Sequence, residues 1–173
     1  MKSIVILVFI IVMCSHNILS QSLTLDNLIS IRNSDIDDIN EILIPKGWLF
    51  TGNVKDREQP LRECIIDELM WTYGSEGRNS QQTANSFIVV ERSYECSNIV
   101  SYQTLDQNAY FKIREMAKKY NMKSGNSILD TDKEGNTYTT TTFVGNKYEV
   151  EMSIYVDKRE TRNSYTVRVY LKQ

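Results

Sequence analysis

Apolar positions change their period several times along this chain, and each change marks an expected element. Leu25, Leu28 and Ile29 are spaced for one face of a short helix. Ser34-Asp35-Ile36-Asp37 then reads as a cap with acids in the first turn, where they meet the positive end of the helix. Ile36, Ile39, Ile42 and Leu43 continue at helical spacing, and Pro45 with Gly47 stops the run. An extended segment begins at Trp48-Leu49-Phe50. Strand-like runs follow from Cys64 to Tyr73, Ser86 to Tyr94 and Ile99 to Thr104.

The same order returns from Asp106. Tyr110, Ile113, Met116, Ala117 and Tyr120 form one helical face, and Asn121 takes the place of Gly47 as a left-handed stop. Strand-like segments run from Met122 to Asp130, Thr137 to Val144, Lys147 to Val156 and Tyr165 to Lys172. Aligning Gly47 with Asn121 sets Ile39 on Ile113, Ile42 on Met116 and Leu43 on Ala117. The expected fold class is therefore α+β: two α-β4 repeats with helices packed on one face of antiparallel sheet. Residues 21–105 make the first repeat and 106–173 the second, in one compact unit. Ile36, Ile39, Leu43, Ile113, Met116 and Tyr120 are the expected helix-side core.

Alternation within the later strands separates an apolar face from a polar one. Gly145-Asn146 reads as a two-residue hairpin turn, which sets Phe143 opposite Tyr148 and Thr141 opposite Val150. Pairing Val156 with Tyr165 brings Glu149 near Lys172 and Ser153 near Arg168. The polar, open face then carries Tyr138, Thr140, Thr142, Glu149, Glu151, Tyr155, Arg168 and Tyr170. Tyr and Arg are frequent interface anchors, with Tyr155 and Tyr170 the foremost here. The same residues also suit a plain solvated sheet, where Thr and Tyr favour strands.

In the first half, pairing Tyr73 with Phe87 sets Trp71 beside Val89, Glu68 beside Arg92 and Cys64 opposite Cys96. A cross-strand disulfide between Cys64 and Cys96 is expected, against the alternative of two buried free thiols. The third cysteine, Cys14, ends an apolar run from Ile4 to Met13 that follows Lys2. That run is too short to span a bilayer, and with the small Ser20 it reads as a signal peptide over residues 1–20. The expected location is periplasmic or extracellular, with no transmembrane segment in the mature chain. Cleavage before Cys14 and lipidation there is the alternative, disfavoured by the large Met13 before it.

Removing residues 1–20 leaves 19 basic against 22 acidic side chains, a net charge of −3 with no basic block. That argues against a nucleic-acid partner, which needs a basic stripe. His16, the only histidine, lies in the signal. Serine–histidine and cysteine–histidine nucleophile chemistry and imidazole metal sites are thereby excluded. Asp130-Thr131-Asp132-Lys133-Glu134-Gly135-Asn136 begins like a calcium loop, but position twelve is Thr141 and a strand follows. Turn chemistry accounts for that segment, so neither metal nor cofactor is expected. Asp67, Glu68 and Glu91 are the carboxylates most able to converge, yet Glu68 has a natural partner in Arg92. No glycine-rich phosphate loop or nucleophile elbow is present. The chain reads as no enzyme.

In its order of elements, an α-β-β-β-β plan written twice, the chain resembles the β-lactamase inhibitory protein family. It is similar as well to the smaller helix-helix-sheet lipoproteins of outer-membrane assembly. The resemblance covers most of the mature chain and matches no residue motif, so no functional residue carries over. It implies a concave sheet surface that grips another protein. The expectation is an exported, non-catalytic binding protein whose partner is an unknown protein or cell-envelope component. The alternative is a small envelope structural or accessory protein, anchored through a lipidated Cys14.

Overall fold

The computed structural model describes residues 23–59, 64–75, 84–159 and 162–172. The expected signal peptide and Cys14 lie outside the described residues. Two short helices come first, α1 (Leu25–Asn33) and α2 (Ile36–Leu43). Thr24 caps α1 in a reciprocal box with Asn27, and Asp35 caps α2 by accepting from the backbone N–H groups of Asp37 and Asp38. A 3-10 turn (Ile44–Lys46) leads into β1 (Leu49–Gln59), β2 (Cys64–Tyr73), β3 (Ser86–Arg92) and β4 (Ile99–Thr104). Then come α3 (Gln107–Lys119), β5 (Lys123–Thr131), β6 (Thr137–Val144), β7 (Tyr148–Val156) and β8 (Ser164–Leu171). The fold is α+β, and all eight strands form one antiparallel sheet in the order β1-β2-β3-β4-β8-β7-β6-β5.

Both helical runs end as the sequence predicts. Gly47 and Asn121 have φ of 83° and 55°, a region glycine and asparagine tolerate best. Gly47 N–H donates to the Ile44 carbonyl and Trp48 N–H to that of Leu43; Asn121 N–H donates to Lys118 and Met122 N–H to Ala117. These bonds satisfy carbonyls that a helix end leaves free. Ile39 and Leu43 are fully buried, as are Ile113 and Ala117, while Ile42 and Met116 are partly so.

Two expected core residues are not core. Ile36 is 36% exposed, because it sits directly after the capping Asp35 on the outer side of the first turn. Tyr120 is 48% exposed at the end of α3 and donates its hydroxyl to Asp26 at 2.6 Å. The core instead joins helix residues Leu25, Leu28, Ile31, Ile39, Leu43, Ile113 and Ala117 with two cross-strand rows. One row runs Phe50-Trp71-Ile88-Tyr102-Val167-Met152-Thr141-Ser127. The other runs Asn53-Leu69-Val90-Val100-Val169-Val150-Phe143-Ser124.

Strand register departs from the sequence expectation in three places. Gly145 N–H bonds to the Tyr148 carbonyl, so Asn146-Lys147, not Gly145-Asn146, occupies the turn. Phe143 therefore faces Val150 and Thr141 faces Met152, two residues from the expected partners. The next pair slips by two as well, with Ile154 opposite Tyr165, Glu149 opposite Tyr170 and Glu151 opposite Arg168. A shift of two keeps every side chain on its face, so alternation alone still assigned the faces correctly. In the first hairpin the slip is one: Tyr73 pairs with Ser86, Trp71 with Ile88, and Glu68 with Glu91. The hydrophobic pleat decides this register, since it sets the buried Trp71, Ile88 and Tyr102 side by side.

The Cys64–Cys96 disulfide is present, with Cα atoms 6.3 Å apart, but not as a ladder pair. β3 stops at Arg92, and Cys96 lies in the following turn. Ser93 Oγ accepts from the N–H groups of Glu95 and Cys96, and Asn98 Oδ1 accepts from Ser93 N–H. Glu68 is ion-paired with Arg57 and not with Arg92, whose guanidinium donates to the Ser34 carbonyl. Among the described residues no helix is long and apolar enough to cross a membrane.

The bridge closes a sequence separation of 32 residues. In the chain-entropy account, replacing both cysteines with serine should lower unfolding free energy by about 3–4 kcal/mol. Guanidinium unfolding of the two forms checks this, and an unchanged midpoint would show that the bridge adds no stability.

Candidate interaction surface

The polar positions picked out by alternation lie together on one face of the sheet. Strand register sets Tyr138 opposite Tyr155, Thr140 opposite Ser153, and Thr142 opposite Glu151. It sets Glu149 opposite Tyr170 and Glu151 opposite Arg168. Thr140 and Ser153 share a hydroxyl bond of 2.8 Å, and Arg168 pairs with Glu151 at 3.3 Å. The expected neighbours of Glu149 and Ser153, Lys172 and Arg168, are replaced by Tyr170 and Thr166.

The face extends beyond the residues named from sequence. The pairing of β4 with β8 carries it into the first half, so the row Thr142-Glu151-Arg168 continues through Ser101, Val89 and Met70. A parallel row continues from Ser153-Thr166 to Gln103, Phe87 and Thr72. Half-buried Phe87, Val89 and Met70 give this half an apolar texture that the Thr- and Glu-rich half lacks. Sequence reasoning missed them because they sit on strands that carry apolar residues on both faces. The signal that finds them is a one-residue register choice that buries Trp71.

A groove of about 530 Å³ lies on this face, lined by Ser97, Ile99, Thr142, Glu149, Glu151, Tyr170 and Leu171. Its Ser97 belongs to the turn that the disulfide ties to Cys64, and Cys64 shares Glu68's face by strand alternation. The bridge thus draws that turn over one end of the face. Tyr94, wholly exposed, stands on the same turn. Burial raises the pKa of the Tyr170 hydroxyl, with the Glu151 carboxylate adding to the effect and Arg168 opposing it. Tyr155 is raised first by burial and then by Asp132. Tyr138 is raised because its hydroxyl donates to Asp130 at 2.7 Å. All three phenols are neutral near pH 7 and act as donors or apolar area, not as anions.

The other sequence candidates resolve separately. Asp67 and Glu68 are neighbours on β2 and so point to opposite faces. Asp67 accepts from Asp56 N–H at 3.2 Å while Glu68 holds Arg57. Asp67 therefore stands apart from the other two acids weighed for catalysis, while Glu68 and Glu91 lie directly opposite each other on β2 and β3, with Glu68 held by Arg57. In the 130–136 segment, Asp132 accepts from Glu134 N–H, Asn136 N–H and the Asn136 side-chain amide at 2.8–3.0 Å. Its carboxylate is thus occupied in closing the β5–β6 turn. Among the described residues no group of three or more His, Cys, Asp or Glu is placed to hold a metal. A second pocket, of about 310 Å³, contains Ser86 and Thr104 hydroxyls 2.8 Å apart with Tyr102 beside them. Its carboxylate, Asp106, is committed to capping α3.

The Asn136 side chain, chief among several donors, holds Asp132 below the ordinary carboxylate pKa. A lowered folded-state pKa means a stabilising contribution that is full above the unfolded pKa and lost as pH falls through the folded one. Asp132→Ala should therefore melt below the native chain at neutral pH, with the gap narrowing toward about pH 3. A gap constant over that window would show that the carboxylate's charge does not hold the turn. Comparison with protein-family models, curated proteins and solved structures finds no match.

Proposed function

We propose that this is an exported, non-catalytic binding protein, built as two α-β4 repeats, that grips a protein or cell-envelope component with the open face of its sheet. In this reading the helices cover the opposite face, which carries the two core rows. The single observation that carries it is the continuous polar-aromatic face across β4, β8, β7 and β6, with its groove beside Tyr170. Such a face offers rigid aromatic area with charged and hydroxyl groups around it, the composition of interface anchors. The Cys64–Cys96 bridge is compatible with an oxidising, exported location.

Several correspondences support the repeat. The Gly47 and Asn121 stops bond back along the chain by the same spacings, with matching burial of the residues before them. β1 and β5 are the two edge strands, and each shifts register just after its second residue, Phe50 or Ser124. Each half runs outward in the sheet from its last strand, β4 or β8, to its first. Following register from Phe50 through Trp71 and Ile88 reaches Tyr102; following it from Ser124 through Phe143 and Val150 reaches Val169. A pseudo-two-fold relating those rows passes through the Ser101–Arg168 pair.

Tyr155 and Tyr170 are the anchors of this reading. Replacing both with alanine should leave the core rows intact, because neither residue belongs to them. It should weaken binding to the captured partner by about 2 kcal/mol or more. The measurement is recovery from an envelope extract on immobilised protein, identification by mass spectrometry, then titration of native and variant chains. Lys112→Ala on α3 serves as the control. Equal affinity of the native and double-variant chains would exclude this face.

A further inference from the structure

The two edges of the sheet are built differently. β1, one edge, is interrupted between Val54 and Arg57, where Asp56 takes φ of 53°. The run Lys55-Asp56-Arg57-Glu58 puts four charges along that edge. A bulge and charges are the usual devices that stop another strand from adding. β5, the opposite edge, is less guarded: it has one register shift, between Ser124 and Ser127, and its charges stand only near its ends, at Lys123 and Asp130. All nine of its residues are exposed, Ser124 to Leu129 carry no charge, and Ile128 and Leu129 are 67% and 69% exposed.

We propose that the free edge of β5 pairs antiparallel with β5 of a second copy of this chain, forming a closed two-fold dimer with one continuous sheet. The register follows from the sequence of faces along β5. The irregularity between Ser124 and Ser127 shifts the alternation by one residue. Lys123, Ile128 and Asp130 therefore share the open face, through Val144, Thr140 and Tyr138. Pairing two copies about the Asn126–Ser127 link sets Lys123 opposite Asp130 of the other copy on that face. It sets Leu129 opposite Ser124 on the other face. No residue changes face, and each end of the interface gains an opposite-charge pair. Lys123 has no ion pair among the described residues, so its ammonium is free to make one.

The same edge chemistry explains why a second copy, and not a growing fibre, is the occupant. An isologous contact uses up both β5 edges. The edges left at the ends of the doubled sheet are the two β1 strands, with their charged, irregular segments. Addition stops at two. The open faces of both copies then lie on one side of a shared sheet. This inference holds whatever that face binds.

Sedimentation and light scattering of the purified protein test it. The expected result is twice the monomer mass at about 100 µM, with a concentration-dependent return to monomer. Lys123→Asp and Asp130→Lys should each raise the dimer dissociation constant about tenfold or more, and the double swap should restore it to within about threefold. Ile128→Lys with Leu129→Lys should give a folded monomer, as both side chains are exposed. Melting curves of each variant establish that it is folded. A native chain that stays monomeric at that concentration overturns the proposal. So does a dimer that survives the lysine pair, or single swaps that the double swap does not repair.

Discussion

The rest of the structure depends on the pairing of β4 with β8. Each four-stranded half is a meander that its own hairpins can build, but neither half has a complete apolar surface. Joining them at Val100–Val169 and Tyr102–Val167 makes the two core rows continuous. α1 is the first described helix, yet its buried Leu25, Leu28 and Ile31 belong to one cluster with Val167 and Val169 near the other end of the chain. Small domains gain stability by burying one shared core and not two fragments. The seam is also a contact of high sequence separation, whose closure entropy has to be met before its burial is gained.

That dependence explains what could be read from sequence. Helix stops at Gly47 and Asn121 are local: a left-handed residue after an apolar helical run is visible in a few positions. Faces in β6, β7 and β8 are local too, because alternation assigns them whatever the exact partner. The hairpin turn shifted to Asn146-Lys147 and moved partners by two without moving a side chain to the other face. β2 and β3 were harder, since both of their faces carry apolar residues, and the expected pairing of Tyr73 with Phe87, which also aligned the two cysteines, lies one residue from the observed register. The bridge forms from a turn beyond the end of β3, so it closes with the register one residue away from a cysteine ladder pair. No turn encodes the β4–β8 seam, and nothing short-range in the sequence announces it.

The candidate surface was legible in half. Tyr138, Thr140, Thr142, Glu149, Glu151, Tyr155, Arg168 and Tyr170 do share a face, because they share alternation. Phe87, Val89 and Met70 join them only through the seam and the one-residue register. Tyr94 and Ser97 depend on the disulfide. An aromatic on a turn loses little entropy on binding when that turn is already held by a covalent bridge and by Ser93 and Asn98. The bridge thus acts on the surface as well as on stability, by fixing what stands at one end of the groove.

The open face is neither fully hydrated nor core-like, and its physical character follows from that. Glu151 and Arg168 neutralise one another across adjacent strands, and half-exposed pairs of this kind contribute little to stability. They do set where charge lies around Tyr170. A partner that displaces water there meets a neutral phenol, a paired charge and hydroxyls already bonded to each other at Thr140 and Ser153. Glu149, opposite Tyr170, has no ion pair among the described residues, so it is the group there whose interaction a partner would most change.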